Sequence, residues 1–234
     1  MSVMNDLLNT NRLSRRTAYE HFESIEGLVY NRAKRHTLIS SNGFAIEPSR
    51  FSGEYKITRF IRDPRDLIVS GYFYHLAGSE PWFLMKNPTP SYWAAINGCV
   101  PSQMPGNVSY SEYLQSLSPE EGLLAEIEFR KHHLESMRKW PEADPNIILF
   151  KYEDIVGNEV EVFSEIFNFM EFTSWQKWRG IKLVKKYSLN GKKVKSKHIR
   201  NPKSGQWKDH FTAKVSKTFN DQYMDILKMY AYDV

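Results

Sequence analysis

The chain predicts an α/β fold, a doubly wound and mostly parallel sheet flanked by helices. Three observations carry that expectation. Short β-branched or apolar runs (Thr37 to Ser41, Ile57 to Ile61, Asn146 to Phe150) alternate with patterns of helical period. The Asn146 to Phe150 run is of the apolar kind found in parallel sheets. The chain has 234 residues, 41% of them hydrophobic and 25% charged, which suits one domain with a full core, so a single domain over 1–234 is expected.

Taken in order, residues 18–34 read as an amphipathic helix on the spacing of Phe22, Ile25, Leu28 and Val29. Strands follow at Thr37 to Ser41 and Ile57 to Ile61, and then a helix over 65–76, with Pro64 and Asp66 suited to its first turn. The segment 78–108 mixes Pro, Gly and Asn with Trp82, Phe83, Tyr92 and Trp93; it reads either as a lid over a ligand or as an aromatic-stapled surface loop. Ser118-Pro119-Glu120-Glu121 is a helix start, and Leu123, Ile127, Leu134 and Met137 mark the stripe it buries. Adjacent helical residues do not face one another, so His132 and His133 are assigned to the surface and not to a metal. Val160, Phe163, Phe167 and Met170 place a helix after the Asn146 strand. Trp175, Trp178 and Ile181 suggest another, with the Trp pair expected in the core. Thr212 caps a final helix carrying Val215, Phe219, Ile226 and Leu227. No internal repeat or low-complexity stretch occurs.

The net charge of +5 favours an anionic ligand or partner without naming it. The single cysteine, Cys99, excludes an intrachain disulfide and a cysteine zinc site, and it suits a reducing compartment. No apolar run reaches the ~18 residues of a membrane span, and no signal-peptide core opens the chain, so a soluble, cytoplasmic protein is expected. The basic run Lys192, Lys193, Lys195, Lys197 and Arg200 has no nucleic-acid-binding motif nearby, which disfavours nucleic acid; a loop folding over a phosphate explains it better.

The stretch Tyr55 to His75, YKITRFIRDPRDLIVSGYFYH, runs a strand into a charged turn and a helix start. A helix N-terminus offers unpaired N–H groups and partial positive charge, and Arg62 adds a bidentate fork, so this is a candidate anion site. The competing reading is that Arg62, Asp63, Arg65 and Asp66 merely solvate a helix cap. Arg62 and Tyr152 each follow a predicted strand, which puts both on the carboxyl edge where such sheets bind ligands.

Near the C-terminus stands Arg200-Asn201-Pro202-Lys203-Ser204-Gly205-Gln206-Trp207-Lys208-Asp209-His210-Phe211. With the first motif, and with Leu149-Phe150-Lys151-Tyr152-Glu153-Asp154-Ile155, it resembles the cytosolic-type sulfotransferases, which use 3'-phosphoadenosine 5'-phosphosulfate (PAPS) and release 3'-phosphoadenosine 5'-phosphate (PAP). Arg62 and Ser70 match that family's R-[DN]-P-[RK]-D-x3-S element for the 3'-phosphate. Arg200, Gly205, Trp207 and Lys208 match its R-K-G-x-x-G-[DN]-W-K loop, with Asn201-Pro202 in place of the usual Lys-Gly. Tyr152 matches the tyrosine that lies against adenine. The resemblance implies a P-loop-NTPase-like sulfotransferase fold, sulfuryl transfer to a hydroxyl of a small molecule or carbohydrate, and no metal. It also implies that 78–108 covers the acceptor and 190–212 covers the 3'-phosphate.

Two family features do not match. The Y-P-K-S-G-T-T-W loop for the 5'-phosphosulfate is not found upstream of Arg62, so the fold is expected to be N-terminally incomplete. The family's basic His is replaced by Asn42, whose amide can orient a hydroxyl but cannot take its proton. His36, His75 and His210 are poorly placed to substitute. A non-catalytic PAP/PAPS-binding or interaction protein is therefore the alternative, and a homo-oligomer stays open.

Overall fold

Parallel pairing organises the strands of this protein, seen in a computed structural model that describes 14–18 and 37–41 as backbone, and 47–48, 54–78, 80–94, 97–140, 143–188 and 203–233. In chain order the elements are β1 (Ser14–Ala18), β2 (Thr37–Ser41), β3 (Ile57–Ile61), α1 (Pro64–Leu76), a 3-10 turn (Pro81–Leu84), α2 (Pro90–Ala94), α3 (Tyr110–Ser116), α4 (Pro119–Phe129) and α5 (Lys131–Arg138). Then come β4 (Ile147–Lys151), α6 (Tyr152–Ile155), α7 (Glu159–Phe169), α8 (Ser174–Tyr187), α9 (Trp207–His210) and α10 (Ala213–Met229). The described residues form two compact units. One holds the strands up to Arg62 and the chain from 143 to 188. The other holds 63–140 and the C-terminal 203–233.

In the first unit β1 lies parallel to β2, from Ser14 against Thr37 to Ala18 against Ser41. β3 lies parallel to β4, from Ile57 against Ile147 to Ile61 against Lys151. β2 and β3 stand where the sequence puts them, and β4 runs one residue later than the expected Asn146 to Phe150. β1 is a strand the sequence does not announce: Ser14-Arg15-Arg16-Thr17 has no apolar alternation, and its partner satisfies its backbone groups. Ala18 ends that strand instead of opening a helix; the rest of the expected 18–34 helix lies outside the described residues.

Phe150, Val162, Ile166, Phe167 and Val184 form the core of this unit. α7 buries Val162, Ile166 and Phe167, while Val160, expected in the stripe, is exposed. α8 opens on a capping box of Thr173 and Gln176, and buries Gly180 and Val184. The expectation that Trp175 and Trp178 are core residues is wrong: they are 52% and 56% exposed. At 100° per residue both indoles fall on the side of the helix opposite Gly180 and Val184, and the Phe167 ring closes that inner side.

The second unit is helical. Asp63 caps α1, its side chain accepting from the Arg65 N–H, with Pro64 in the first turn as expected. Ser109 with Glu112 and Ser118 with Glu121 make capping boxes on α3 and α4. Leu123, Ile127, Leu134 and Met137 are buried as predicted, split between α4 and α5 by a break at Arg130. Thr212 caps α10, which buries Val215, Phe219, Tyr223, Ile226 and Leu227. The aromatic stretch after α1 sends Phe83 and Trp93 fully into this core and leaves Leu84, Met85 and Tyr92 outside.

At the centre sits a carboxylate. Glu126 is 0% exposed and accepts from Tyr110 Oη (2.9 Å), Arg130 Nε (2.8 Å) and His75 Nδ1 (2.7 Å). α1 approaches close enough that a Cβ on Gly71 would meet Glu126 Oε1 at 2.1 Å. The His75 ring lies among Phe83, Phe129, Tyr110 and Trp82, with centroids 4.5 to 5.4 Å away. Burial pushes the His75 imidazole below its ordinary value against the pull of Glu126, so a neutral ring donates Nδ1–H. For Glu126, burial acts upward, but His75 and Arg130 beside it outweigh burial and hold the carboxyl below the usual range.

Candidate functional site

The in-register pairing of Ile61 with Lys151 brings the next residue of each strand, Arg62 and Tyr152, side by side at the carboxyl end of the β3–β4 pair. The Arg62 guanidinium lies over the Tyr152 ring, 4.8 Å from its centroid. Both side chains are half-buried. A cation and an aromatic face at that edge can bind an anionic group and a flat ring together.

In the second unit the charged turn before α1 is not a solvated cap. Asp63, Arg65 and Asp66 are all buried, Asp66 to 1% exposure. Arg65 grips Asp63 through Nε to Oδ1 (3.0 Å) and Nη2 to Oδ2 (2.8 Å), and its guanidinium lies 3.8 Å from the centre of the Trp207 ring. The Asp66 carboxylate accepts the backbone N–H of Gly205 (2.7 Å) and of Trp207 (2.9 Å). Gly205 has φ +79°, a conformation that suits glycine, and it turns the chain so that both N–H groups reach one carboxylate. Asp66 thus fastens the C-terminal loop to the first turn of α1, where the helix dipole favours its charge. Lys208 Nζ is 5.7 Å from the Trp207 ring.

Asp66→Asn keeps the shape and loses the charge and one acceptor. Hydrogen exchange at the Gly205 and Trp207 amides is expected to quicken by roughly 10- to 100-fold, the equivalent of ~1–3 kcal/mol for orphaned buried donors. Unchanged exchange at both amides would show that the carboxylate does not hold the loop.

Of the residues singled out by sequence, the structure joins Arg62 with Tyr152, and places Gly205, Trp207 and Lys208 in one loop fastened to α1. Ser70 is half-buried on α1, one turn beyond Asp66. Asn42, Arg200, Asn201 and His36 lie outside the described residues. His75 is committed to Glu126, and the His210 ring packs edge-on against Phe73 at 5.1 Å. Sequence reasoning missed Asp66 and Arg65 as anchors. No local pattern in the sequence pairs either residue with the 205–207 turn, which lies 139 positions beyond Asp66. Among the described residues no group of three His, Cys, Asp or Glu is placed to hold a metal ion, and no helix is long and apolar enough to cross a membrane.

Comparison with known proteins agrees with this architecture. The family described as "Sulfotransferase domain" matches residues 23–231. Rat sulfotransferase 2A2 is 23% identical over 192 residues, and rat sulfotransferase 2A1 is 26% identical over 192. Each alignment covers 76% of this chain and 58% of the relative, so the chain spans little more than half the length of these curated relatives. Among solved structures, mouse sulfotransferase SULT7A1 complexed with PAP covers 97% of this chain and 79% of its own, with a TM-score of 0.50 and 13% identity, a likeness of fold. An α/β arrangement with parallel strands and flanking helices, and a family match running over nearly the whole length, lead to one conclusion: the chain belongs to the sulfotransferase family.

Proposed function

We propose that the protein transfers a sulfuryl group from PAPS to a hydroxyl of a small molecule or carbohydrate, acting as one domain over 1–234. The observation that carries this reading is the Arg62–Tyr152 pair at the strand ends, a guanidinium beside an aromatic face, matched to a nucleotide that offers a phosphate beside a purine. In this reading Arg62, Ser70 and Arg200 hold the 3'-phosphate and Tyr152 lies against adenine. Asn201, Gly205, Trp207 and Lys208 belong to the covering loop of 190–212, and 78–108 covers the acceptor. The donor supplies a sulfuryl group on a leaving phosphate that departs as an anion. The acceptor oxygen forms a bond to sulfur as the bond from sulfur to the phosphate oxygen breaks, and the acceptor proton leaves to a base or solvent. The protein's part is to position and to neutralise charge, and no metal is called for. Asn42 orients the acceptor hydroxyl without taking its proton. The lone cysteine and the likeness to cytosolic-type enzymes support a cytoplasmic protein.

Asn42 in the place of a basic histidine favours a second reading, a protein that binds PAP or PAPS without turnover. A PAP titration run beside a transfer assay with labelled PAPS and a panel of hydroxyl acceptors separates the two. Binding with transfer supports the enzyme, tight binding without transfer supports the second reading, and no binding defeats both.

A further inference from the structure

We propose that the outward face of α8 docks on the surface of an anionic phospholipid bilayer. α8 reads SWQKWRGIKLVKKY and carries Lys177, Arg179, Lys182, Lys185 and Lys186 with no acidic residue. At 100° per residue, Trp175, Trp178, Arg179, Lys182, Lys185 and Lys186 all fall within an arc of about 120°, centred opposite the buried Gly180 and Val184. The arc runs roughly 16 Å along the helix from Trp175 to Lys186. Both indoles are more than half exposed, and Lys182, Lys185 and Lys186 are exposed too. The nearest acid before the helix, Glu171, is engaged by Lys56 at 2.5 Å.

Two large indoles at the surface carry a hydration cost that the core of this unit does not relieve. Tryptophan flanked by lysine and arginine is the combination that settles at a membrane interface: the ring enters the headgroup region while the cations meet lipid phosphates and carboxylates. Charge complementarity makes an anionic bilayer the occupant, since the four cations of the arc, on a helix with no acidic residue, face a surface of fixed negative charge.

A polynucleotide or glycan chain held along several units needs a groove, and the stripe is the convex side of a helix. The Lys182 ammonium, 3.7 Å from the Trp178 ring centre, and the Arg179 guanidinium, 5.3 Å from that of Trp175, join indoles and cations in one patch. A bilayer needs no groove. The inference is independent of sulfuryl transfer and concerns where the protein works, not what it does there.

Co-sedimentation of the 234-residue chain with phosphatidylcholine vesicles, with and without phosphatidylserine, tests it. Binding is expected to the phosphatidylserine vesicles only and to weaken with salt. Trp175→Ala/Trp178→Ala should weaken it by at least about tenfold, and Lys182→Gln/Lys185→Gln/Lys186→Gln by roughly a hundredfold. All five positions are exposed, so both variants should melt as the parent does. Brominated acyl chains should quench the parent's fluorescence, and Trp175→Phe/Trp178→Phe should lose that quenching. Absence of binding to phosphatidylserine vesicles, binding indifferent to the Trp pair, or absence of quenching overturns the proposal. Heparin or single-stranded DNA bound through the Trp pair, with vesicles ignored, overturns it in favour of a polyanion site.

Discussion

Glu126→Gln is expected to lower the stability of the helical unit by about 3–5 kcal/mol, the scale of a broken buried ion pair. The carboxylate is fully buried and accepts from three donors, Tyr110, Arg130 and His75. Glutamine has nearly the same shape but offers one oxygen, and its amide turns a donor toward groups that are themselves donors. Arg130, its side chain 17% exposed, then keeps its charge without the carboxylate that paired it. Urea unfolding followed by tryptophan fluorescence should show an earlier midpoint with an unchanged slope. A loss under about 1 kcal/mol would contradict the hub.

The same cluster sets the pH dependence. The His75 value is lowered on folding from an ordinary 6.5, so as pH falls below 6.5 the unfolded chain takes up a proton that the folded chain refuses, and stability is lost. Glu126 is lowered from 4.5, so its contribution is present above that value and is lost as pH falls through the lower folded one. Both act in one direction. Stability should therefore be level from neutrality to the ordinary tyrosine value of 10.0, above which the raised Tyr110 hydroxyl costs stability, and should fall in acid, with the first acid decline shared by any variant that keeps His75 buried.

Arg62→Ala is expected to weaken PAP binding by about 2–5 kcal/mol, as truncating a hydrogen-bonded charge partner does. Adenosine 5'-monophosphate, which has no 3'-phosphate, should bind parent and variant alike. The contrast matters because Arg62 also lies over Tyr152. If the variant loses both nucleotides equally, the guanidinium shapes the tyrosine and does not read the phosphate.

Local chemistry in the sequence located much of this protein. Caps such as Ser118 with Glu121 and Thr212, and the apolar runs of β3 and β4, specify their elements from within a few residues. The neighbouring of Arg62 and Tyr152 was legible because each directly follows a strand, and parallel register does the rest. What depends on distant partners was not legible. β1 takes its identity from β2. Asp66 reads as a dipole residue until a loop 139 positions away presents two N–H groups to it. The Trp175 and Trp178 spacing says helix, but spacing alone does not say which side faces the core; Gly180 against the Phe167 ring decides it. The aromatic stretch after α1 was ambiguous because burial of Phe83 and Trp93 depends on the Glu126 cluster, which no local pattern announces.

The most direct test is a calorimetric titration of the unaltered chain with PAP and, separately, with adenosine 5'-monophosphate. A site built on Arg62 to recognise the 3'-phosphate predicts that PAP binds at least about thirtyfold tighter, the ratio that ~2 kcal/mol confers. Equal affinity for the two nucleotides, or no heat from either, would contradict it.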